Sequence, residues 1–179
     1  MRAPSLVAAI LRVRTEAAEY AASVTDQKPP RLAADDSATF LALLQYQRDS
    51  VVRKVSGVNG EQAKSSPVSS GTSLLWLVNH VADAEATWVL GRFAGRHVEV
   101  GKPAHAPSVD RAVLRYQQVQ REVDGVIRDA ASLDQDCVKF DDQHKVNLRW
   151  ILAHLLEETA RHAGHADILR ELIDGATGR

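Results

Sequence analysis

Near the end of the chain, the run EETARHAGHADILRE (residues 157 to 171) sets His162 and His165 four and seven positions after Glu158. On a helix, at about 100° per residue, these three side chains fall within roughly 60° of one another and form one stripe. A carboxylate and two imidazoles so arranged suit a solvated face, a salt-bridged edge or a metal site. Neutral imidazoles and carboxylates bind zinc and related divalent ions, and a catalytic ion needs three protein ligands and an open position. Glu158 and His162, one turn apart, form a natural chelate, and His80 from an earlier helical run would complete the set. The competing reading is a surface Glu–His pair with His80 as a hydrogen-bonded packing residue. His165 fits equally as a fourth ligand, a partner behind the ligands or an exposed side chain. His154 extends the stripe by a turn toward partial exposure, while His97, His105 and His144 fall in expected loops, where solvated roles suit them. Gly164 weakens a helix by about 1 kcal/mol relative to alanine, which makes sense where a backbone or ligand approaches closely.

Such residues need rigid elements to aim them, and the apolar spacing provides four helices. Asp36 or Ser37 is expected to cap the first, whose apolar positions include Phe40, Leu43, Leu44, Tyr46, Val51 and Val55. GVNGEQAKSSPVSSG then reads as turn chemistry. Thr72 or Ser73 opens a second helix to Phe93, with Leu74, Leu77, Val78, Val81, Trp88 and Val89 on one face and His80 on its flank. Glu85 falls on that apolar face, so it requires a partner inside the bundle or a shifted register. Ser108 opens a third helix to about Ser132, and LDQDCVKFDDQHKVN is a polar connector. The fourth runs from about Leu148 to Asp174, with Gly175 as its stop. Its core stripe of Leu148, Ile151, Leu152, Leu155, Thr159, Ala163 and Ala166 leaves Glu158, His162 and His165 on the flank, turned toward a neighbouring helix.

Runs of period-two alternation are absent, so the fold class is all-α, a four-helix bundle over residues 35–179. Residues 1–34 form an N-terminal extension with a short helix at about 5–24, broken by Pro29 and Pro30. The 22 basic and 23 acidic residues give a formal charge of -1, which carries no footprint for nucleic acid. A single cysteine, Cys137, excludes an intrachain disulfide and a cysteine-rich zinc cluster and suits a reducing cytoplasm. LVAAIL, followed at once by arginine, is too short for a secretion signal, and no apolar stretch reaches the ~20 residues of a membrane span. The sixteen arginines against six lysines, with abundant alanine and valine, are as expected of a high-GC bacterial source.

The segments SGTSLLWLVNHVADAEATW and LRWILAHLLEETARHAGHADILRELIDG resemble the DinB/YfiT-like superfamily, especially its actinobacterial DUF664 branch of mycothiol-dependent transferases. FLALLQYQRDSVVRKVSGVNGEQ is similar to the first helix of that family, so the resemblance covers roughly 36 to 177. It implies a four-helix bundle with a long crossover between helices 2 and 3. It also implies a divalent ion, zinc, nickel or manganese, held by one histidine of helix 2 and two ligands of helix 4. His80 matches the first position, and Glu158 and His162 match the others, with glutamate where many members carry histidine. The implied activity is a detoxifying transfer of mycothiol, a low-molecular-weight thiol, to an electrophile, with His165 handling protons or backing the ligands and Glu85 behind it. The maleylpyruvate isomerases of the superfamily carry a further C-terminal domain, and a chain ending after helix 4 argues against that reaction. A metal-dependent hydrolase and a non-enzymatic metal-binding bundle are the alternatives. A homodimer suits a bundle of this kind; a membrane or nucleic-acid partner is not expected.

Overall fold

The computed structural model describes residues 6–23, 28–140 and 144–177. The expected extension is described only in part, since 1–5 and 24–27 lie outside that range, as do 141–143 of the polar connector. The elements are α1 (Leu6–Ser23), α2 (Asp36–Val55), α3 (Gly60–Lys64), α4 (Leu74–Glu85) continuing without a break as a π-helical segment (Ala86–Phe93), α5 (Val109–Asp129) and α6 (Leu148–Asp174). The described residues form no β-strand, and an isolated bridge pairs Asp136 with Asn147. No described helix is long and apolar enough to cross a membrane.

Capping chemistry sets the boundaries. The cap of α2 is Asp35, one residue before the expected position, because its carboxylate accepts from the Ala38 amide at 2.8 Å while Asp36 pairs with Arg149. The stretch read as turn contains α3, where Asn59 and Gln62 form a reciprocal capping box. Ser73 caps α4 and Asn147 caps α6, each accepting from the amide three residues on. Ser108 precedes α5 without a side-chain cap, and that helix ends at Asp129 rather than near Ser132. Gly175 terminates α6 at φ 75°, a left-handed conformation that favours glycine.

Side-chain contacts define the topology. α2 and α6 run parallel, with Asp36 beside Arg149 at one end and Arg170 donating to the carbonyls of Lys54 and Ser56 at the other. α4 runs antiparallel to α6, since His80 meets Glu158 and Trp88 meets Trp150. α4 and α5 are parallel: the residues around Asn79 face the start of α5, and Leu90 faces Val119 and Glu122. A parallel pair requires a connection that returns along the bundle, and residues 94–108 provide the crossover. Two residues of α4 pin it. Asn79, 2% exposed, exchanges two hydrogen bonds with the peptide of Ala106, and Asp83 accepts from Gly101 N at 2.8 Å and binds His105 and Arg115. Gly91 lets the crossover pack close, since a Cβ there would lie 3.1 Å from Val98.

The apolar core falls into two halves. One gathers Leu44, Val89, Phe93, Val123, Ile151 and Leu155; the other gathers Val51, Val55, Leu77, Val81, Val113 and Leu169. A buried polar layer of Arg48, Glu85, Gln120 and Thr159 lies between their positions along all four bundle helices. α1 packs on α5 through buried Ala17 and a 2.9 Å hydrogen bond from Tyr20 to Gln120.

Candidate metal centre

The core stripe of α6 is buried as its spacing predicts, which turns Glu158 and His162 to the flank facing α4. His80 enters from the antiparallel α4. His80 Nε2 and His162 Nε2 both lie 3.1 Å from Glu158 Oε1, so one carboxylate oxygen sits between two imidazole nitrogens. One ligand atom from each residue lies within 4.8 Å of the other two, and this is the cluster of metal-ligating side chains found among the described residues. Bonds of about 2.0–2.2 Å to a tetrahedral ion place ligand atoms roughly 3.3–3.5 Å apart, which small side-chain adjustments reach from this arrangement. The side chains of His80, Glu158 and His162 retain 33%, 19% and 11% exposure, enough to admit a ligand into a largely shielded notch.

The electrostatics favour an ionised Glu158 beside an uncharged His162. Burial tends to raise the pKa of Glu158, but hydrogen bonding to His80 and the nearby His162 outweigh it and leave the carboxyl below its ordinary range. Burial, then His80, pushes His162 below the ordinary imidazole range, although Glu158 pulls the other way. A carboxylate beside a neutral imidazole is the state in which both serve as ligands.

Neighbouring groups hold the ligands in place. Trp76 stacks on His80 with ring centroids 4.6 Å apart and planes 9° from parallel, an i, i+4 contact along α4. His165 Nδ1 lies 3.3 Å from His162 Nδ1, so His165 backs the nitrogen opposite the one facing Glu158. With a proton on either Nδ1 this contact is a hydrogen bond that selects the ring tautomer of His162.

Glu85 is elsewhere. It lies five residues beyond His80, about 140° around the helix, and is fully buried. Arg48 grips it with Nε at 3.0 Å and Nη2 at 2.6 Å, and Tyr116 donates its hydroxyl at 2.8 Å. Burial and the adjacent Glu85 hold the Tyr116 hydroxyl well above its ordinary pKa, so it remains a donor. The expected placement of Glu85 behind His165 is therefore not found, and the paired-carboxylate alternative describes it. The detectable signal was Arg48, which follows Leu44 by four and precedes Val51 by three on the core face of α2.

Other expectations also shift. His105 is tied to Asp83 at 2.8 Å rather than solvated, because the crossover folds back over α4. A Cβ at Gly164 would meet nothing within 4 Å, so no close approach explains that glycine. His154 joins an aromatic cluster, stacked 5.1 Å from Trp150 and edge-on to Trp88 at 4.9 Å, with Arg92 above the Trp88 ring. Trp88, expected on the core face, is only half-buried because the wider π-helical turn rotates it toward that flank. Cys137 is 4% exposed, which removes it as a nucleophile.

Residues 39–175 match the family model described as Mycothiol-S-transferase. No curated protein matches the chain significantly. The matched region holds α4, α6 and all three clustered ligand residues, and begins after α1.

Proposed function

The chain belongs to the Mycothiol-S-transferase family, and on that premise we propose a divalent-metal-dependent enzyme that joins mycothiol to an electrophile in defence against reactive compounds. The convergence of His80, Glu158 and His162 on one point between two rigid helices carries the proposal. These three residues would hold the ion, zinc, nickel or manganese. Such an ion lowers the pKa of a bound thiol so that the thiolate prevails at neutral pH. Glu158 supplies one negative charge against the ion's two, a set suited to a divalent cation with a position left for substrate.

The remaining roles belong to the chain. Trp76 and Glu158 fix the His80 ring, and His165 fixes the His162 ring. The sulfur donates an electron pair to an electrophilic carbon, a carbon–sulfur bond forms, and the leaving group departs with the pair of the bond it breaks. Where the electrophile is an activated alkene, the new carbanion takes a proton instead. His165, exposed and adjacent to the cluster, is the proton-handling group.

Elemental analysis of protein purified without chelator or nickel resin, followed by thiol-transfer assays with mycothiol, tests the proposal. One ion per chain, lost in both His80→Ala and His162→Ala, together with mycothiol-dependent consumption of an electrophile, is the expected result. No ion even after reconstitution would refute the metalloenzyme, and ester or amide turnover without thiol would replace transfer with hydrolysis.

A further inference from the structure

The cluster does not stand alone on its flank. Glu158, His162, His165 and Leu169 continue one stripe along α6, and beyond His165 the surface sinks into a concavity of about 400 Å³. Val68, Ser70, Thr72, His165, Ile168 and Leu169 line it. One wall is the C-terminal half of α6; the other is the connector that enters α4 at Ser73. Both walls lead back to the ligands, through the 3.3 Å His165–His162 contact on one side and through Thr72 toward Trp76, which stacks on His80, on the other.

We infer that this concavity seats the electrophile and selects uncharged, apolar ones. The inference rests on the transferase reading and names its second substrate. No lysine, arginine, aspartate or glutamate lines the space, and His165 is its one ionisable group. The hydroxyls of Ser70 and Thr72 share one 2.9 Å hydrogen bond, and the walls present mainly aliphatic carbon. A charged ligand would lose hydration here without gaining a partner, whereas an apolar one gains by leaving water. Mycothiol, a cysteine linked to a glycosyl inositol, would strand its many hydroxyls against these walls and so belongs outside them. The volume lies within the range of pockets that hold small organic ligands, about 300–1,000 Å³. The larger concavity between α1 and α5, about 540 Å³, is lined by Glu16, Glu19, Gln117 and Arg121 and has a different chemistry.

The test uses the full metal-loaded chain and two probe pairs. N-benzylmaleimide and N-(carboxymethyl)maleimide are electrophiles alike in reacting group but apolar or anionic in the appendage; the corresponding succinimides are unreactive and report binding by calorimetry. Wild type should bind N-benzylsuccinimide and reject the carboxymethyl analogue. Ile168→Asp, at a position 56% exposed and therefore safe for the fold, should weaken that binding and raise the KM for N-benzylmaleimide by roughly tenfold or more. Metal content and the KM for mycothiol should not move. Val68→Asp on the opposite wall should repeat the effect. Equal binding of the two succinimides, or transfer kinetics indifferent to both substitutions, would overturn the inference while leaving the transferase reading intact. Absence of any mycothiol-dependent transfer in metal-loaded wild type would remove both.

Discussion

Two polar clusters occupy the same level of the bundle, one inside and one on the flank. Thr159, 1% exposed, joins the internal layer of Arg48 and Glu85, while Glu158, its neighbour in the chain, turns outward to His80 and His162. The Arg48–Glu85 network at the centre of the inner cluster is closed. Both Glu85 oxygens receive donors, and Arg48 distributes its remaining hydrogen bonds to Gln45 and Asp124. The outer cluster is open, with two imidazoles converging on one carboxylate oxygen and all three side chains partly exposed to solvent. A closed network specifies how helices pack; an open convergence of metal-ligating side chains leaves room for a cation. Removing an inner group should therefore damage the fold and spare metal binding, and removing an outer group should do the reverse.

The largest effect belongs inside. Arg48→Ala leaves the Glu85 charge buried without its partner, and chemical denaturation should show a loss of about 3–5 kcal/mol. Replacing Arg48 and Glu85 together with methionine should recover most of that loss, because the charge requiring compensation is gone. If the single variant lost little, the inner network would not govern helix packing. The outer counterpart is His162→Ala, which should lower divalent-metal affinity by about 100-fold or more in a competition titration, since ligand removal exceeds the loss of a supporting partner. Stability without metal should change by only about 1 kcal/mol, as the side chain lies at the edge of the core. A metal affinity unaffected in this variant would exclude His162 as a ligand.

The two clusters differ in how far the sequence reveals them. The α6 half of the outer one was legible because its spacing is local: Glu158 and His162 are one turn apart, and the stripe beside them marks which side of α6 faces inward, whereas His80, 78 residues from Glu158, was placed by its flank position and the family resemblance. Glu85 also announced itself as a carboxylate on an apolar face. Its partner Arg48 was detectable as a charge on the core face of α2, but a helical pattern gives each residue's angle on its own helix and not which distant residue it meets. Arg48 and Tyr116 lie 37 and 31 residues from Glu85, and only the packed bundle joins them. The same limit hid the return of His105 to Asp83. The π-helical turn was missed for another reason, since the apolar residues from Leu74 to Val89 fit an unbroken α-helical stripe until the wider turn moves Trp88 off it. α3 was readable in principle from the offset of Asn59 and Gln62, but the Gly and Ser around them masked it.

Glu158→Gln sharpens the comparison because it preserves shape and removes only charge. Divalent-metal affinity should fall by about tenfold to 100-fold, while stability without metal stays within about 0.5 kcal/mol. The matched change inside, Glu85→Gln, should cost several times more stability because it leaves Arg48 buried as an uncompensated cation. Equal stability losses in the two variants would show that the outer carboxylate is also a packing residue, and the contrast between closed and open clusters would fail.

The smallest expected effect concerns the side chain that gives the open cluster its order. Trp76 is 41% exposed, which is more than core packing explains for a large aromatic ring, yet it lies nearly parallel to His80 and edge-on to His162 at 6.2 Å. Trp76→Ala frees the His80 ring to turn about its side-chain bonds, so the ion must order that ring on binding. Metal affinity should drop by about tenfold, in keeping with the loss of a partner that orients a ligand. Stability should fall by about 0.5–1.5 kcal/mol, the usual contribution of one aromatic pair. Trp76→Phe should restore most of the affinity, because a smaller ring can still stack. Should alanine leave the affinity untouched, the tryptophan would be surface packing alone, and the orientation of His80 would depend on its single hydrogen bond to Glu158.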